Sequence, residues 1–292
     1  MNVISFDIEE WFIEKEFGGN RKEKYAEFDA YLDKILELLN VNNKKATFFC
    51  VGKMAVEFPE VLRRISADGH EIGCHSNVHT WLNKMTQDQM KQDTYEAVNS
   101  IEHCLGKKVL SYRAPAFSIG ERNKWALEIL ANSGIERDSS IFPASRDFGG
   151  FPDFGCSEPT LITYNGITIK EFPISVTSIM GKDIAYCGGG YFRFFPLWFI
   201  KREMKKSPFA ICYFHIEDLL PESHGVMSRK KYEEYFKENG SFFNRYKRYL
   251  KSNVGKKNAW SKLGKLVKTI DFMNLEDADK LTDWIKCPQK VL

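Results

Sequence analysis

The sequence lacks the patterns that would place the chain in a membrane or in an oxidising compartment. No run of about eighteen apolar residues occurs, so no segment is long enough to cross a bilayer as a helix. The amino terminus has no basic stretch followed by an apolar one, which is the pattern of a secretory signal. The seven cysteines, at positions 50, 74, 104, 156, 187, 212 and 287, form no CxxC pair and no regular framework. We therefore expect reduced cysteines and a cytoplasmic protein.

Internal repeats and low-complexity tracts are also missing, which argues against solenoid and disordered classes. The chain of 292 residues is 43% hydrophobic and contains 23 phenylalanines and 12 tyrosines. This composition supports a sizeable core in one large domain or two small ones. Most of the aromatic residues are expected in that core.

Strand and helix patterns alternate through the first half of the chain. Short apolar runs predict strands, and apolar positions three and four residues apart predict helices. The strands are predicted at about 2–8, 46–51, 69–74, 109–112 and 135–139, and the helices at about 24–39, 59–67, 86–105 and 122–133. Repeated strand–helix units with short connections predict a parallel sheet covered by helices.

Polar residues follow several of these strands directly. They are Asp7 with Glu9, His75 with His79, Arg113, and Asp138, and a later strand at 209–214 leads to His215. An open doubly wound sheet gathers its site at one switch point, whereas a barrel brings many strand ends to one mouth. We therefore predict a single α/β domain over residues 1–292 with a distorted (β/α) barrel fold. Glycine, proline and serine-rich loops with short β runs at about 142–190 predict an insertion that covers the mouth.

The segment 229–268 is strongly basic. It contains thirteen lysines and arginines and three acidic residues, a net charge of +10 in a chain whose total is +3. With its interspersed aromatic residues it could contact an anionic membrane surface or hold a polyanionic substrate. An outer barrel helix with a solvated basic face explains the same pattern.

Two histidines four residues apart, His75 and His79, form a candidate metal site. Imidazoles at this spacing can face one point from a single helical turn. One carboxylate from Asp7, Glu9 or Glu10 would complete a two-histidine, one-carboxylate set with open positions, which suits a catalytic divalent metal.

The remaining residues predict proton transfer. A second carboxylate beside the metal could accept a proton from water, and His215 could return one to a leaving group. Arg113 and Asp138 could orient a carboxylate and an imidazole, although a purely structural salt bridge between them is an alternative. This set suits hydrolysis of a C–N or C–O bond.

These residues also carry a family resemblance. Five segments, in order Ser5-Phe6-Asp7, His75-Ser76-x-x-His79, Arg113-Ala114-Pro115-Ala116-Phe117, Asp138-Ser139-Ser140 and Tyr213-Phe214-His215, resemble the polysaccharide deacetylases of carbohydrate esterase family four, the NodB-homology group. The resemblance runs from about residue 2 to 220, and Asp271–Leu275 resembles the family's last strand. It implies a distorted (β/α) barrel, a metal-dependent amidase mechanism and an N-acetylated sugar as substrate.

The resemblance also implies residue roles. Asp7 would be the general base, His75 and His79 metal ligands, and His215 the general acid. Arg113 would steady Asp7, Asp138 would fix the tautomer of His215, and the backbone N–H near Ala116 would stabilise the oxyanion. Many members have two adjacent aspartates, whereas Ile8 follows Asp7 here, so the chain is closer to a DxD/E subgroup with Glu9 as ligand. Glu10 remains the alternative, and Zn²⁺ is the expected metal.

Substrate contacts are predicted beside these residues. Ala116 and Phe117 are the last residues of the arginine motif. The glycine-rich segment before Tyr191 and Arg193 would let the backbone approach the mouth of the barrel, so that these two side chains could contact substrate. His224 lies in a loop that could reach substrate, whereas His70 and His103 lie outside the motifs and are interpreted as structural or exposed.

The predicted reaction is removal of an N-acetyl group from a sugar of a glycan or a glycan precursor. An allantoinase-like ring-opening amidohydrolase is the second enzymatic hypothesis. A catalytically inactive, glycan-binding barrel is the third. No feature predicts a nucleic-acid partner.

Overall fold

The computed structural model describes residues 1–146, 149–221, 225–236 and 238–292. In these residues, eleven strands form two sheets. The strands are β1 (Asn2–Ile8), β2 (Thr47–Cys50), β3 (Glu71–Cys74), β4 (Ser111–Tyr112), β5 (Arg137–Asp138), β6 (Thr160–Tyr164), β7 (Ile167–Glu171), β8 (Val176–Ile179), β9 (Lys182–Ala185), β10 (Ala210–His215) and β11 (Gln289–Val291).

The main sheet is a curved, mostly parallel array. Its strand order is β10-β1-β2-β3-β4-β5-β7-β6-β11, and only the β6–β7 pair is antiparallel. Among the described residues, β10 and β11 are not paired with each other, so the barrel is open between them. The α/β class and the distorted barrel predicted from the sequence are confirmed. Parallel pairing also places the carboxyl ends of β1, β2, β3, β4 and β10 at one edge.

Helices pack on this sheet or lie at its periphery in the described residues. They are α1 (Glu10–Ile13), α2 (Lys22–Val41), α3 (Gly52–Glu57), α4 (Pro59–Ala67), α5 (Gln87–Leu105), α6 (Trp125–Asn132), α7 (Gly189–Phe194), α8 (Leu197–Lys206), α9 (Ile216–Leu219), α10 (Arg229–Phe236), α11 (Phe242–Asn253), α12 (Lys256–Val267) and α13 (Leu275–Leu281). The four helices predicted in the first half of the chain all form, because their apolar stripes face the sheet. α5 begins with a capping box between Thr86 and Gln89 and ends at Gly106 in a left-handed conformation.

The strands at the centre of the sheet are buried on both faces. All four residues of β2 and six of the seven residues of β1 are buried. Such strands read as continuous apolar runs rather than alternating ones. This explains why Phe48, Phe49 and Cys50 follow one another without a polar interruption.

Residues 142–190, predicted as an insertion, contribute to both sheets. β6 and β7 form a hairpin that joins the main sheet beside β5, and β8 and β9 form a separate two-stranded hairpin. The assignment of this segment as an insertion in a single domain stays a prediction. Strands from both halves of the chain nevertheless share the main sheet, since β10 pairs with β1.

The predicted last strand, Asp271–Leu275, is wrong in extent. The structure has a single bridge there, between Met273 and Val3. β1 extends beyond β2 at its start, because the pairing with β2 begins only at Ser5. This leaves backbone groups near Val3 available for Met273, and α13 begins two residues later.

The expectation that every cysteine is reduced is also wrong. Cys187 and Cys212 form a disulfide that joins the segment before α7 to β10. Cysteine spacing could not reveal this pair, because the two residues come together only through the tertiary fold. Five cysteines, Cys50, Cys74, Cys104, Cys156 and Cys287, are free.

None of the described helices combines the length and the apolar character that crossing a bilayer requires.

A buried histidine outside the predicted site generates a test of stability. His70 is 5% exposed, accepts a hydrogen bond from the backbone N–H of Ala46 at Nδ1, and packs on the ring of Phe48. Burial, with the nearby Lys45 charge, lowers the pKa of His70 from about 6.5 to about 4. Within that window the unfolded chain binds a proton that the folded protein does not bind, so stability falls as the pH is lowered.

We therefore expect the His70→Asn variant to lose less stability than the parent between pH 6.5 and pH 4, by about 1–2 kcal/mol. Asparagine keeps an acceptor for Ala46 but does not titrate. Urea unfolding at several pH values measures the difference. Parallel pH dependence in both proteins would contradict the prediction, and the exposed His103→Asn variant is the control.

Candidate functional site

A fully buried arginine, Arg113, joins the elements at the carboxyl edge of the sheet. Its Nη1 donates to Asp7 Oδ1 at 2.8 Å and to Ser5 Oγ at 2.8 Å, and its Nε donates to the carbonyl of Ser139 at 3.1 Å. The guanidinium also lies 4.2 Å from the ring centroid of Phe49. A buried cation needs such complete pairing. Arg113 therefore holds the Asp7 carboxylate in one position.

Three side chains converge on one point beside this pair. One ligand atom from each of Glu9, His75 and His79 lies within 4.8 Å of the others. Glu9 Oε2 lies 2.5 Å from His79 Nε2 and 3.5 Å from His75 Nε2. Of the alternatives open in the sequence, Glu9 is thus the carboxylate that the structure brings to the histidines.

The tautomer of His75 follows from its other ring nitrogen. Nδ1 lies 2.7 Å from the carbonyl oxygen of Arg113, which can only accept a hydrogen bond. Nδ1 must therefore carry the proton, and Nε2 presents a lone pair towards Glu9. The same arginine residue thus fixes both Asp7 and His75.

The two histidines lie on a loop, so their predicted placement on one helical turn is wrong. Ser76 and His79 adopt positive φ angles of 61° and 55°. The loop is held by Asn77, whose backbone N–H donates to Asp93 and whose side chain donates to Glu96. α5, which carries both carboxylates, is therefore the support that brings His79 back towards His75.

The composition of this cluster fits a divalent cation. Glu9 Oε2 is buried and makes no hydrogen bond of acceptable geometry, although it faces two imidazole nitrogens. Two imidazoles with one carboxylate are a common ligand set for catalytic divalent metals. Burial alone would raise the pKa of Glu9, but the nearby charges of His79 and His215 hold it well below its usual value.

Glu10, the other candidate carboxylate, faces a different environment. Its Oε2 accepts from the backbone N–H of Glu9, and its Oε1 accepts from the backbone N–H of Glu217. Burial, together with the charge of Glu9, raises the pKa of Glu10 to about 8. Glu10 therefore connects α1 to α9 and does not belong to the histidine cluster.

The register of two neighbouring strands places His215 opposite Asp7. The two residues are direct partners in the β1–β10 pair, and His215 is the last residue of β10. His215 Nε2 lies 3.8 Å from Asp7 Oδ2 and 3.8 Å from Glu9 Oε1. The imidazole is 30% exposed, so it borders the opening of the site.

The prediction that Asp138 orients His215 is wrong. His215 Nδ1 lies 3.1 Å from Oδ2 of Asp218, which comes three residues later at the start of α9. The same carboxylate oxygen accepts from the backbone N–H of His215. A carboxylate three residues after a strand-end histidine was the available sequence signal, since it can reach back within one turn.

The surroundings of His215 favour its protonated form. Burial by itself would lower the pKa of His215, but the charges of Glu9, Asp218 and Asp7 outweigh it and raise the pKa well above its usual value. Burial would likewise raise the pKa of Asp218, but the charges of His215 and Arg193 hold it low. The His215–Asp218 pair is therefore a charged one.

Asp138 instead belongs to a buried network beneath the site. It accepts from Ser140 Oγ at 2.5 Å, and Ser140 Oγ accepts from the backbone N–H of Ala114. Its neighbour across the β5–β7 pair is Glu171, and burial with the charge of Asp138 raises the pKa of Glu171 well above its usual value. Asp138 thus supports the loop after β4 rather than the imidazole.

The four residues predicted to contact substrate differ in their exposure and in their packing partners. Arg193, expected to contact substrate, is 8% exposed and its Nη1 lies 2.8 Å from Asp218 Oδ1, so its guanidinium is committed to that carboxylate. Phe117, also expected to contact substrate, is 3% exposed and packs on Tyr213. Ala116 has a positive φ of 54°, and Tyr191 is half-buried against Phe142. The contacts predicted for Ala116 and Tyr191 stay predictions.

One helix of the basic segment 229–268, α10, lies beside the site, and this position was not predicted from the sequence. α10 packs Tyr232 and Phe236 on Trp81, and Ala116 and Tyr235 lie against the same cluster. The proximity of Glu9 adds to burial in raising the pKa of Tyr235 above its usual range. The predicted contact residue His224 lies outside the described residues.

Two family models match the chain in succession. Residues 21–137 match the polysaccharide deacetylase family, and residues 139–280 match a domain of unknown function, DUF3473. His75, His79 and Arg113 lie in the first segment, whereas Arg193 and His215 lie in the second.

Curated relatives resemble about a third of the chain. A peptidoglycan-N-acetylglucosamine deacetylase from Bacillus cereus is 34% identical over 99 residues, which are 34% of this chain and 36% of the relative. A peptidoglycan-N-acetylmuramic acid deacetylase from Bacillus subtilis is 36% identical over 105 residues, 33% of this chain and 40% of the relative. The chain thus spans well under half the length of these two relatives.

A crystal structure from Mycobacterium smegmatis, of a protein assigned provisionally to the polysaccharide deacetylases, superposes with a TM-score of 0.64. The superposition covers 100% of this chain and 92% of that chain at 16% identity, so it bears on the fold alone. The family match over residues 21–137 and the two relatives make this chain similar to the polysaccharide deacetylases in that part of its sequence.

Proposed function

We propose that the protein is a metal-dependent deacetylase that removes an N-acetyl group from a sugar of a glycan or glycan precursor. The observation that carries the proposal is the register of β1 and β10. It places Asp7 and His215 on one opening beside the Glu9–His75–His79 cluster. The family match over residues 21–137 and the deacetylase names of the relatives support the choice of an N-acetyl sugar.

Glu9, His75 and His79 would hold the metal, with Zn²⁺ as the first candidate. A bound divalent cation polarises the carbonyl of the acetamide and raises the acidity of water. The Nδ1–H of His75, held by the Arg113 carbonyl, keeps Nε2 available as a ligand atom.

Asp7 would act as the general base. Arg113 binds Oδ1 of Asp7, so Oδ2 is the oxygen that faces His215 and the opening. The contact with Arg113 holds the carboxylate in the position from which it would accept a proton from the attacking water.

His215 would act as the general acid that protonates the departing amine. Asp218 holds Nδ1, so a proton on Nε2 is directed towards the opening. Arg193 in turn binds the other oxygen of Asp218. These contacts support an imidazolium at neutral pH, because Asp218 compensates its positive charge.

A cytoplasmic location, with precursor glycans as substrates, stays a prediction. The Cys187–Cys212 disulfide removes the cysteine-based argument for a reducing compartment. Substrate tests therefore need to include cell-wall fragments as well as precursors. Membrane contact by the basic segment 229–268 is independent of this chemistry.

Acetate release tests the proposed function. Metal-loaded protein is incubated with nucleotide-linked N-acetyl sugars, chitooligosaccharides and peptidoglycan fragments, and in parallel with allantoin. Acetate from any of the sugars supports the deacetylase. Ring opening of allantoin without acetate release would support the amidohydrolase, and binding of sugars without turnover would support the inactive barrel.

The metal ligands give a prediction that does not require turnover. His79→Ala removes one of three ligands, so we expect loss of stoichiometric Zn²⁺ and a fall in acetate release of about 10⁴-fold or more. Metal content after dialysis measures the first effect. His103→Ala, an exposed histidine on α5, is the matched control and should keep its metal. Retention of Zn²⁺ by the His79→Ala protein would refute the ligand assignment.

The partner of His215 gives a second prediction. Asp218→Asn removes the adjacent negative charge, so we expect a lower pKa for His215 in the metal-free protein, measured by NMR titration of the imidazole. The alkaline limb of acetate release should then move to lower pH, because the acid loses its proton earlier. Asp138→Asn is the control and should leave the pKa of His215 unchanged. If Asp138→Asn lowered the pKa of His215 and Asp218→Asn left it unchanged, Asp138 would be the orienting carboxylate.

The roles of base and acid give a third prediction. Asp7→Asn should keep the metal and reduce acetate release by about 10²–10⁴-fold. Because the change leaves Arg113 buried without its counter-ion, thermal unfolding must show that the variant is folded.

The His215→Ala variant should hydrolyse the amide much more slowly than the parent does. Its hydrolysis of an activated acetate ester should fall much less, since a good leaving group needs no proton. Both variants are compared by initial rates on an N-acetyl sugar and on the ester. Equal losses on amide and ester in the His215→Ala protein would contradict its role as general acid.

A further inference from the structure

The helix α11 turns an apolar face towards solvent. Phe242 is 65% exposed, Phe243 74%, Tyr246 42% and Leu250 45%, and Val254, just after the helix, is 44% exposed. Their spacing of three and four residues places them along one side of the helix. A helix on a globular domain usually turns such a stripe towards the core. α11 does the opposite, since none of its twelve residues is buried.

Polar contacts hold the helix in this orientation. Ser241 caps its first turn by accepting from the backbone N–H of Asn244, and Arg245 donates to the carbonyl groups of Gly240 and Met227. The guanidinium of Arg248 lies 4.1 Å from the ring centroid of Phe236 in α10. The inner side of α11 is therefore the polar one, and its contacts leave the aromatic stripe on the surface.

The stretch of sequence that contains this stripe carries only positive charges. Residues 239–270 contain nine lysines and arginines and no aspartate or glutamate. Lys247 and Lys251 are exposed and border the apolar stripe on one side of the helix. Basic residues beside exposed aromatic ones are the composition of helices that lie in the interface of anionic membranes.

We propose that α11 docks the protein on the surface of an anionic lipid bilayer. Phe242, Phe243 and Leu250 would enter the boundary between headgroups and acyl chains, and Lys247 and Lys251 would lie among the headgroups. A polyanionic glycan would match the lysines and could stack on an aromatic ring, but its hydroxyl-rich surface would not bury a contiguous stripe that includes Leu250 as acyl chains do. A two-fold contact with a second copy would bring two basic faces together.

The docking helix is connected to the candidate site. Arg193, which binds Asp218, also donates to the carbonyl of Lys251 at 2.9 Å. α11 is thus separated from His215 by two side chains. If the proposed function holds, docking places the opening of the site near glycans presented at a membrane, but the docking itself requires no catalysis.

Co-sedimentation with vesicles tests the proposal. We expect the full chain to bind vesicles of phosphatidylglycerol and phosphatidylcholine, to bind phosphatidylcholine vesicles at least about tenfold more weakly, and to be released by salt. Replacing both Phe242→Ser and Phe243→Ser should weaken binding to the anionic vesicles by about tenfold or more. Ile285→Ser, which removes a 90% exposed apolar side chain elsewhere, should bind as the parent does.

The charge is tested separately from the aromatic residues. Lys247→Glu with Lys251→Glu should weaken binding to the anionic vesicles by about tenfold or more, whereas Lys286→Glu, with an 83% exposed side chain outside α11, should have little effect. Circular dichroism and thermal unfolding establish that each variant is folded.

Three results would overturn the proposal. The first is no binding to either vesicle, and the second is equal binding of the parent and the Phe242→Ser, Phe243→Ser double variant. The third is a parent dimer in sedimentation velocity that the double variant dissociates, which would assign the face to a second copy. All of these readouts are independent of acetate release.

Discussion

The burial of Arg113 is the constraint on which the rest of the site depends. A guanidinium without contact with water must find a partner for each of its donors, or the fold loses several kcal/mol. Its partners come from β1 and from the segment after β5, and its own carbonyl accepts from the loop after β3. Satisfying one cation therefore fixes the candidate base Asp7 and the tautomer of the candidate ligand His75. A change that moved Arg113 would disturb both groups together.

The candidate site combines residues from the two segments that match different families with Asp7 and Glu9, which precede both segments. His75, His79 and Arg113 belong to the segment that matches the polysaccharide deacetylases, whereas His215 and Asp218 belong to the segment that matches a domain of unknown function. The pairing of β10 with β1 brings the two sets together. This supports a role for the second segment in the site, since it supplies the proposed acid, the carboxylate that orients it, and α10 beside the opening.

The second segment also connects that opening to a surface. Arg193 binds the partner of His215 and a carbonyl of α11, and the outward side of α11 carries phenylalanine, tyrosine and lysine. Charge is distributed differently in the site and on the surface of α11. Inside, the charges of His215, Asp218 and Arg193 compensate one another, whereas at the surface the positive charges accumulate without acidic residues along residues 239–270.

The sequence by itself determined the elements and the residue types at their ends. Apolar runs and helical stripes located the central strands and the long helices, because burial on one or both faces leaves a local pattern. The same reasoning placed Asp7, Glu9, His75, Arg113 and His215 at strand ends. Which side chains meet was decided only by the tertiary structure. Asp218 rather than Asp138 reached His215, Cys187 found Cys212, and α11 turned its aromatic side outward. Each of these outcomes depends on strand register and on packing between distant segments, which no local pattern records.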